Sequence, residues 1–388
     1  MYNFDRIINR SGTNSLKWDI KKEELPMWVA DMDFEVSDEI VKALEERVKN
    51  HIYGYNIVPD EWYESYIAWW KNRHQYEIKK EWLIFSTGVV PSISSVVRRV
   101  TSPGEKVLVQ TPVYNIFFNS ICNNGRYVLE SQLVYKDGKY SIDFSDLEKK
   151  LSDPQTTLMI LCNPHNPIGK IWDKDTLSKI GNLCYKHNVL VLSDEIHCDL
   201  TKPGCDYVPF QSVSDVCKYN SIACLAPTKT FNIAGLQTSA VCIPNKKIYD
   251  KVYRGINNDE IAEPNTFAIQ AAIAAFTKGG IWLDELREYI EKNKLIVKEY
   301  ISRELPMLHL VDSDATYLLW IDCGKVTNNS IELTDFIRKQ TGLFLSNGSQ
   351  YGDSGKKFIR MNIACPKEIL IDGLNRFKLG ITSYEKRR

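Results

Sequence analysis

Between about residues 82 and 232 the chain repeats one pattern: a short unbroken apolar run, a polar turn, then a stretch with helical spacing. The runs at 82–85, 107–110, 158–162, 189–192 and 222–225 lack the polar alternation of a half-exposed strand. Such runs suit strands covered on both faces, as in a parallel sheet held between helix layers. The stretches between them carry helix-start signals. Ser145 followed by Glu148 matches a capping box, in which two side chains satisfy free backbone N–H groups reciprocally. Asp173 opens a segment that puts Leu177, Ile180 and Cys184 on one stripe.

The flanks read differently. Residues 1–50 predict an irregular arm and then a helix capped near Ser37, with Ile40, Val41, Leu44 and Val48 on one face. Past about residue 275, Leu286, Ile290, Val297 and Ile301 mark a long amphipathic helix. Runs at 317–321, 343–345 and 358–363 read as strands of a smaller unit. The expectation is an α/β protein with a large domain at 50–275, its mostly parallel sheet lying between helix layers. A smaller α+β domain is expected to assemble from 1–49 and 276–388. A length of 388 residues accommodates both.

Composition narrows the partners. Lys plus Arg and Asp plus Glu number 49 each, so nothing favours a nucleic acid or an anionic membrane. The opening stretch Tyr2-Asn3-Phe4-Asp5-Arg6 has no apolar signal core, and no run approaches the ~18 apolar residues of a membrane span. A cytoplasmic protein is expected. The ten cysteines are scattered, without a C-x-x-C pair, and Cys162, Cys224 and Cys242 sit in or beside apolar runs. Reduced thiols acting as small hydrophobes are expected, and no metal site.

Chemistry concentrates where the runs end. In an open doubly wound sheet, ligands sit beyond the carboxyl ends of the strands. Three such ends read Asn163-Pro164-His165-Asn166-Pro167-Ile168-Gly169, Ser193-Asp194-Glu195-Ile196-His197 and Pro227-Thr228-Lys229-Thr230-Phe231-Asn232. They set an amide, a carboxylate and an amine at successive strand ends. That trio meets the needs of pyridoxal 5′-phosphate (PLP): a donor for its ring oxygen, an anion for its ring nitrogen, an amine for its aldehyde.

Lys229 follows a buried run, so its amine is expected to project into a cleft, where desolvation lowers its pKa. A single lysine after a strand is ordinarily just exposed; the companion turns weigh against that here. Asp194 ends one of the most apolar runs, and a carboxylate there needs a cation or several donors. Capping the next helix is its competing role. Alternation sends Asp194 and Glu195 to opposite faces, so only one reaches a ring. His197 is near enough to assist indirectly, or is an ordinary structural histidine. The prolines and glycine around Asn166 restrict a turn that can aim one amide. Gly88, Val89 and Val90, between a run and a helix, can offer backbone N–H groups to a phosphate, with the Thr228 hydroxyl in support. Tyr114, at another strand end, either stacks on a ring or packs in the core.

These strings resemble the fold-type I PLP enzymes of the class I/II aminotransferase superfamily, and more narrowly the MalY/PatB-type cystathionine β-lyases, which are carbon–sulfur lyases. The narrower likeness rests on Arg10-Ser11-Gly12-Thr13-Asn14-Ser15-Leu16-Lys17-Trp18-Asp19 and Pro26-Met27-Trp28-Val29-Ala30-Asp31-Met32-Asp33-Phe34. Residues 193–200 and 226–237 and the string Arg360-Met361-Asn362-Ile363-Ala364-Cys365-Pro366 extend it over nearly the whole chain. The resemblance implies that Lys229 links covalently to PLP, Asp194 pairs with the ring nitrogen, Asn166 bonds the ring oxygen and Tyr114 stacks. It implies that Arg360, helped by backbone near Ala30, binds the α-carboxylate of an amino-acid substrate, a task suited to a bidentate guanidinium. Tyr55 is implied to reach the phosphate of a neighbouring subunit, which makes the active unit a homodimer. Many aminotransferases of the wider superfamily carry an arginine eight positions after the lysine, where this chain has Gln237. The lyase branch tolerates that change.

The implied reaction is α,β-elimination of L-cystathionine, or of a cysteine-type thioether, to a thiol, pyruvate and ammonia. The nearest alternative is an aminotransferase acting on an L-amino acid, which uses the same residues up to removal of the Cα proton. A regulatory protein of the same fold without turnover has no need of a lysine base.

Overall fold

The computed structural model describes residues 2–387. At its centre is a sheet of seven strands: β1 (Leu83–Ser86), β2 (Lys106–Thr111), β3 (Tyr127–Gln132), β4 (Thr156–Cys162), β5 (Leu190–Asp194), β6 (Ser221–Leu225) and β7 (Ser239–Cys242). They lie side by side in the order β1-β7-β6-β5-β4-β2-β3. Pairings from β3 across to β6 are parallel, whereas β7 runs antiparallel to both of its neighbours. Every run expected between residues 82 and 225 is a strand of this sheet.

Burial on both faces explains the unbroken runs. In β4, Leu158, Ile160 and Cys162 join a core with Val96, Val97 and Phe117, while Met159 and Leu161 join one with Leu177, Ile180 and Cys184. Successive side chains of a strand point to opposite faces, so neither set tolerates a polar residue. The helix Lys174–Lys186 begins at an Asp173 cap, as expected, and buries the expected stripe.

Two helix starts differ from expectation. The helix Phe144–Leu151 is capped by Asp143, whose carboxylate accepts from the N–H groups of Ser145 and Asp146. An aspartate two residues upstream of Ser145 already satisfies those donors, so the capping box does not form. The helix Asp38–Val48 follows Ser37, but the serine side chain makes no capping bond. Ile40 is buried, whereas Val41 and Val48 are exposed, because this helix rests by one narrow side on the helix Ala268–Lys278.

The helix Gly280–Glu304 buries Leu286, Ile290, Val297 and Ile301 as expected. Beyond it lies an antiparallel sheet of β8 (His309–Leu310), β9 (Leu318–Asp322), β10 (Ser346–Asn347) and β11 (Phe358–Asn362), in the order β8-β9-β11-β10. The run expected at 343–345 is not part of it. Leu343–Phe344 pairs instead, in parallel, with Leu25–Pro26. The N-terminal arm then runs past the end of β11, where Met27 C=O accepts from Asn362 N–H and Asp33 N–H donates to Ala364 C=O. This path carries Ala30 toward the large sheet. Among the described residues no helix is long and apolar enough to cross a membrane. All ten cysteines are free thiols.

Candidate active site

Parallel pairing brings the three informative strand ends together. Cys162 lies opposite Asp194 and Asp194 opposite Cys224. Asn163 N–H donates to Asp194 C=O, and Glu195 N–H to Cys224 C=O. The turns beyond these ends line one cavity of about 260 Å³, to which Ala30, Gly88, Val89, Tyr114, Asn166, Asp194, His197, Thr228 and Lys229 all contribute. A larger polar cavity of about 480 Å³ surrounds His74, Asp199 and Arg287 and holds none of the trio.

Lys229 lines the cavity, and its ammonium is enclosed by protein and donates to the Ala30 carbonyl. Loss of water lowers its pKa to about 8; Arg360 adds to that shift, while Asp31 and Asp194 oppose it. Asp194 is buried, and burial pushes its carboxyl up to about 7, against the pull of an Ile196 N–H bond at 3.1 Å. The Lys229 ammonium also pulls it down, but among the described residues no cation pairs directly with this carboxylate. Glu195 turns the other way and accepts from the Ser193 hydroxyl at 2.9 Å and Phe210 N–H at 3.1 Å. Alternation along the strand thus presents one carboxylate to the cavity.

The turn holding Asn166 is braced from both sides. His165 Nε2 lies 2.8 Å from Pro112 C=O, and Gly169 N–H donates to His165 C=O at 2.7 Å. Asn166 Oδ1 accepts from Arg360 at 3.1 Å, so its NH2 group is the donor left for the cavity. Arg360, in the middle of β11, also donates to Trp28 C=O at 2.9 Å and stacks 4.9 Å over Tyr351. Its buried Nε finds no partner among the described residues. Tyr114 packs edge-on to Phe117, and burial raises its hydroxyl to about 12. Burial, reinforced by Lys229 and Arg360, drives His197 down to about 3, so it is a neutral imidazole. Val89 opens the helix Val89–Val100 after Gly88, with that helix start at the cavity wall.

Tyr55 stands apart. It is 98% exposed and does not line the cavity of its own chain. Three positions with clear structural roles were not singled out from sequence. Asn232, in a left-handed conformation, accepts from Met32 N–H at 2.9 Å and donates to the carbonyls of Met32 and Phe34. Asn362 donates to the carbonyls of Val29 and Asp31. The Tyr317 hydroxyl donates to Ala30 C=O at 3.1 Å. Asn362 was legible, since two residues along a strand from Arg360 it shares that residue's face. Tyr317 carried no signal beyond that of a core aromatic.

The chain matches the family described as aminotransferase class I and II over residues 24–376. It is 44% identical over 386 residues to cystathionine β-lyase PatB of Bacillus subtilis (strain 168), covering 98% of this chain and 100% of that one. Among solved structures it is similar to a PLP-bound putative aminotransferase from Clostridium difficile 630, with a TM-score of 0.96 and 39% identity, over 98% of this chain and 100% of that one. It is likewise similar to a PLP-bound C–S lyase from Staphylococcus hominis, with a TM-score of 0.92 and 32% identity over 98% of each chain.

Proposed function

The chain belongs to the class I and II aminotransferase family, and from that membership we propose a PLP-dependent carbon–sulfur β-lyase acting on L-cystathionine or related cysteine thioethers. Its products are a thiol, pyruvate and ammonia. One observation carries the reading: the Lys229 amine and the Asp194 carboxylate face a single cavity, with Arg360 bonded to a third wall at Asn166. The extent of identity with PatB favours elimination over transamination.

The residues fit PLP. Asp194 is a buried carboxylate in want of a cationic N–H, and Lys229 is a desolvated amine. The helix start at Val89 and the Thr228 hydroxyl supply donors for a phosphate. In this reading Lys229 carries the coenzyme, Asp194 holds the ring nitrogen, the Asn166 NH2 group the ring oxygen, and Tyr114 covers a ring face. When bound, PLP withdraws electrons from the substrate and makes its Cα–H acidic.

The chain's own groups then divide the work. Arg360 holds the substrate α-carboxylate, using the Nε that has no acceptor among the described residues. Lys229 Nζ would act as the base that takes the Cα proton, and its lowered pKa keeps a usable neutral fraction. Base catalysis of this kind is worth about 10²–10⁴ in rate. His197, held neutral, adds no second charge beside Asp194.

A homodimer completes the proposal, with Tyr55 reaching the neighbouring subunit's phosphate site. Support comes from the exposed segment that carries Tyr55, in which Ile52 and Ile57 are also exposed. Lys229→Ala is expected to remove the visible absorption band of the bound coenzyme and lower thiol release by at least about 10²–10⁴. Normal turnover in that variant ends the reading.

A further inference from the structure

The strings at 10–19 and 26–34 mark the lyase branch, and the backbone of 28–34 is bonded by Arg360, Asn232, Asn362, Lys229 and Tyr317. Both strings converge on a cluster of four charges. Arg10 lies 2.8 Å from Asp31 Oδ2 and 2.7 Å from Asp33 Oδ1. Lys17, 1% exposed, lies 2.7 Å from Asp33 Oδ2 and 3.5 Å from Asp31 Oδ1. Trp18 Nε1 donates to Asp33 at 2.7 Å. Burying Lys17 and Asp33 fully, and Arg10 and Asp31 in part, gains little stability over apolar packing of the same volume, so the cluster asks for another reason.

Its position supplies one. Asp31 directly follows Ala30, whose carbonyl accepts from both Lys229 and Tyr317. Asn362 and Asn232 fix the carbonyls on either side, at Val29, Asp31 and Met32. The charge cluster therefore backs the backbone segment whose carbonyl Lys229 donates to. We propose that Arg10, Lys17, Asp31 and Asp33 form a positioning cluster that fixes the Ala30 carbonyl against Lys229 and meters the negative charge Asp31 presents to it. The inference rests on Lys229 as the coenzyme-bearing residue.

Lys229 is faced by Asp31 from the arm, Asp194 and the neutral His197 from the large sheet, and Arg360 from β11. The hydroxyls of Tyr114 and Tyr317 complete the surroundings and stay protonated. Asp31 and Asp194 favour the ammonium; Arg360 opposes it. Of these charges, only that of Asp31 is balanced by cations from the N-terminal arm.

The test is a pH titration of the coenzyme's visible band in the holoenzyme, which reports protonation of the nitrogen that Lys229 contributes. Arg10→Met removes a masking cation and is expected to raise the apparent pKa by about 0.5–1 unit, whereas Asp31→Asn lowers it by a similar amount. Arg10→Lys keeps the charge and stays near wild type, and the Arg10→Met/Asp31→Asn double variant returns toward it. General loosening of the site would shift both single variants the same way, or neither, and either result overturns the proposal. Should Arg10→Met not fold, Asp31→Asn against Arg10→Lys carries the test, and an unshifted Asp31→Asn overturns it. A wild-type protein without the band fails the coenzyme reading itself, and the cluster's role with it.

Discussion

Arg360 sits mid-strand in a buried sheet, where a guanidinium needs acceptors for five N–H groups. Asn166 and Trp28 accept from two of them, Tyr351 offers a ring face, and Nε is among the N–H groups left without an acceptor among the described residues. A carboxylate arriving beside Asn166 meets that need with charge-assisted bonds. Losing such a pair costs about 3 kcal/mol. Arg360→Ala is therefore expected to raise KM for cystathionine by roughly 10²-fold, with a smaller fall in kcat. Arg360→Lys should rescue little, since a point charge cannot replace a planar fork. Steady-state kinetics decide it, and an unchanged KM removes Arg360 from the substrate.

At the level of elements, the helix Phe144–Leu151 offers a clean check because it lies outside the cavity. Asp143→Ala should cost about 0.5–2 kcal/mol and Ser145→Ala only a few tenths, read from urea midpoints. The reverse ranking would restore the capping box. The central strands were legible because both their faces are buried, and the lining of the candidate site was legible because single polar residues end those apolar runs. Where burial fails, so does the signal. Tyr127 in β3 is exposed at the sheet edge, and β7 is a short run of small residues, Ser239-Ala240-Val241-Cys242. The pairing of Leu25–Pro26 with Leu343–Phe344 joins two-residue strands, too short to show any period. Side-chain clips such as Asn232 on Met32 depend on a left-handed turn and a distant partner, neither of which spacing reveals.

At the level of the whole molecule, one chain presents every proposed site residue except Tyr55 at or beside the cavity. If the site is shared between subunits, chains carrying Tyr55→Ala and chains carrying Lys229→Ala should complement each other when mixed. Random pairing restores about a quarter of the sites, because half the dimers are mixed and one site in each is intact. No recovery of activity would mean that each subunit works alone. The central claim is narrower: an amine and a carboxylate gripping one ring make Cα acidic, and the sulfur on Cβ then leaves. Purified holoenzyme given L-cystathionine and no keto acid tests it most directly. The account predicts pyruvate and a thiol appearing in equal amounts; the absence of pyruvate until a keto-acid acceptor is added would contradict it.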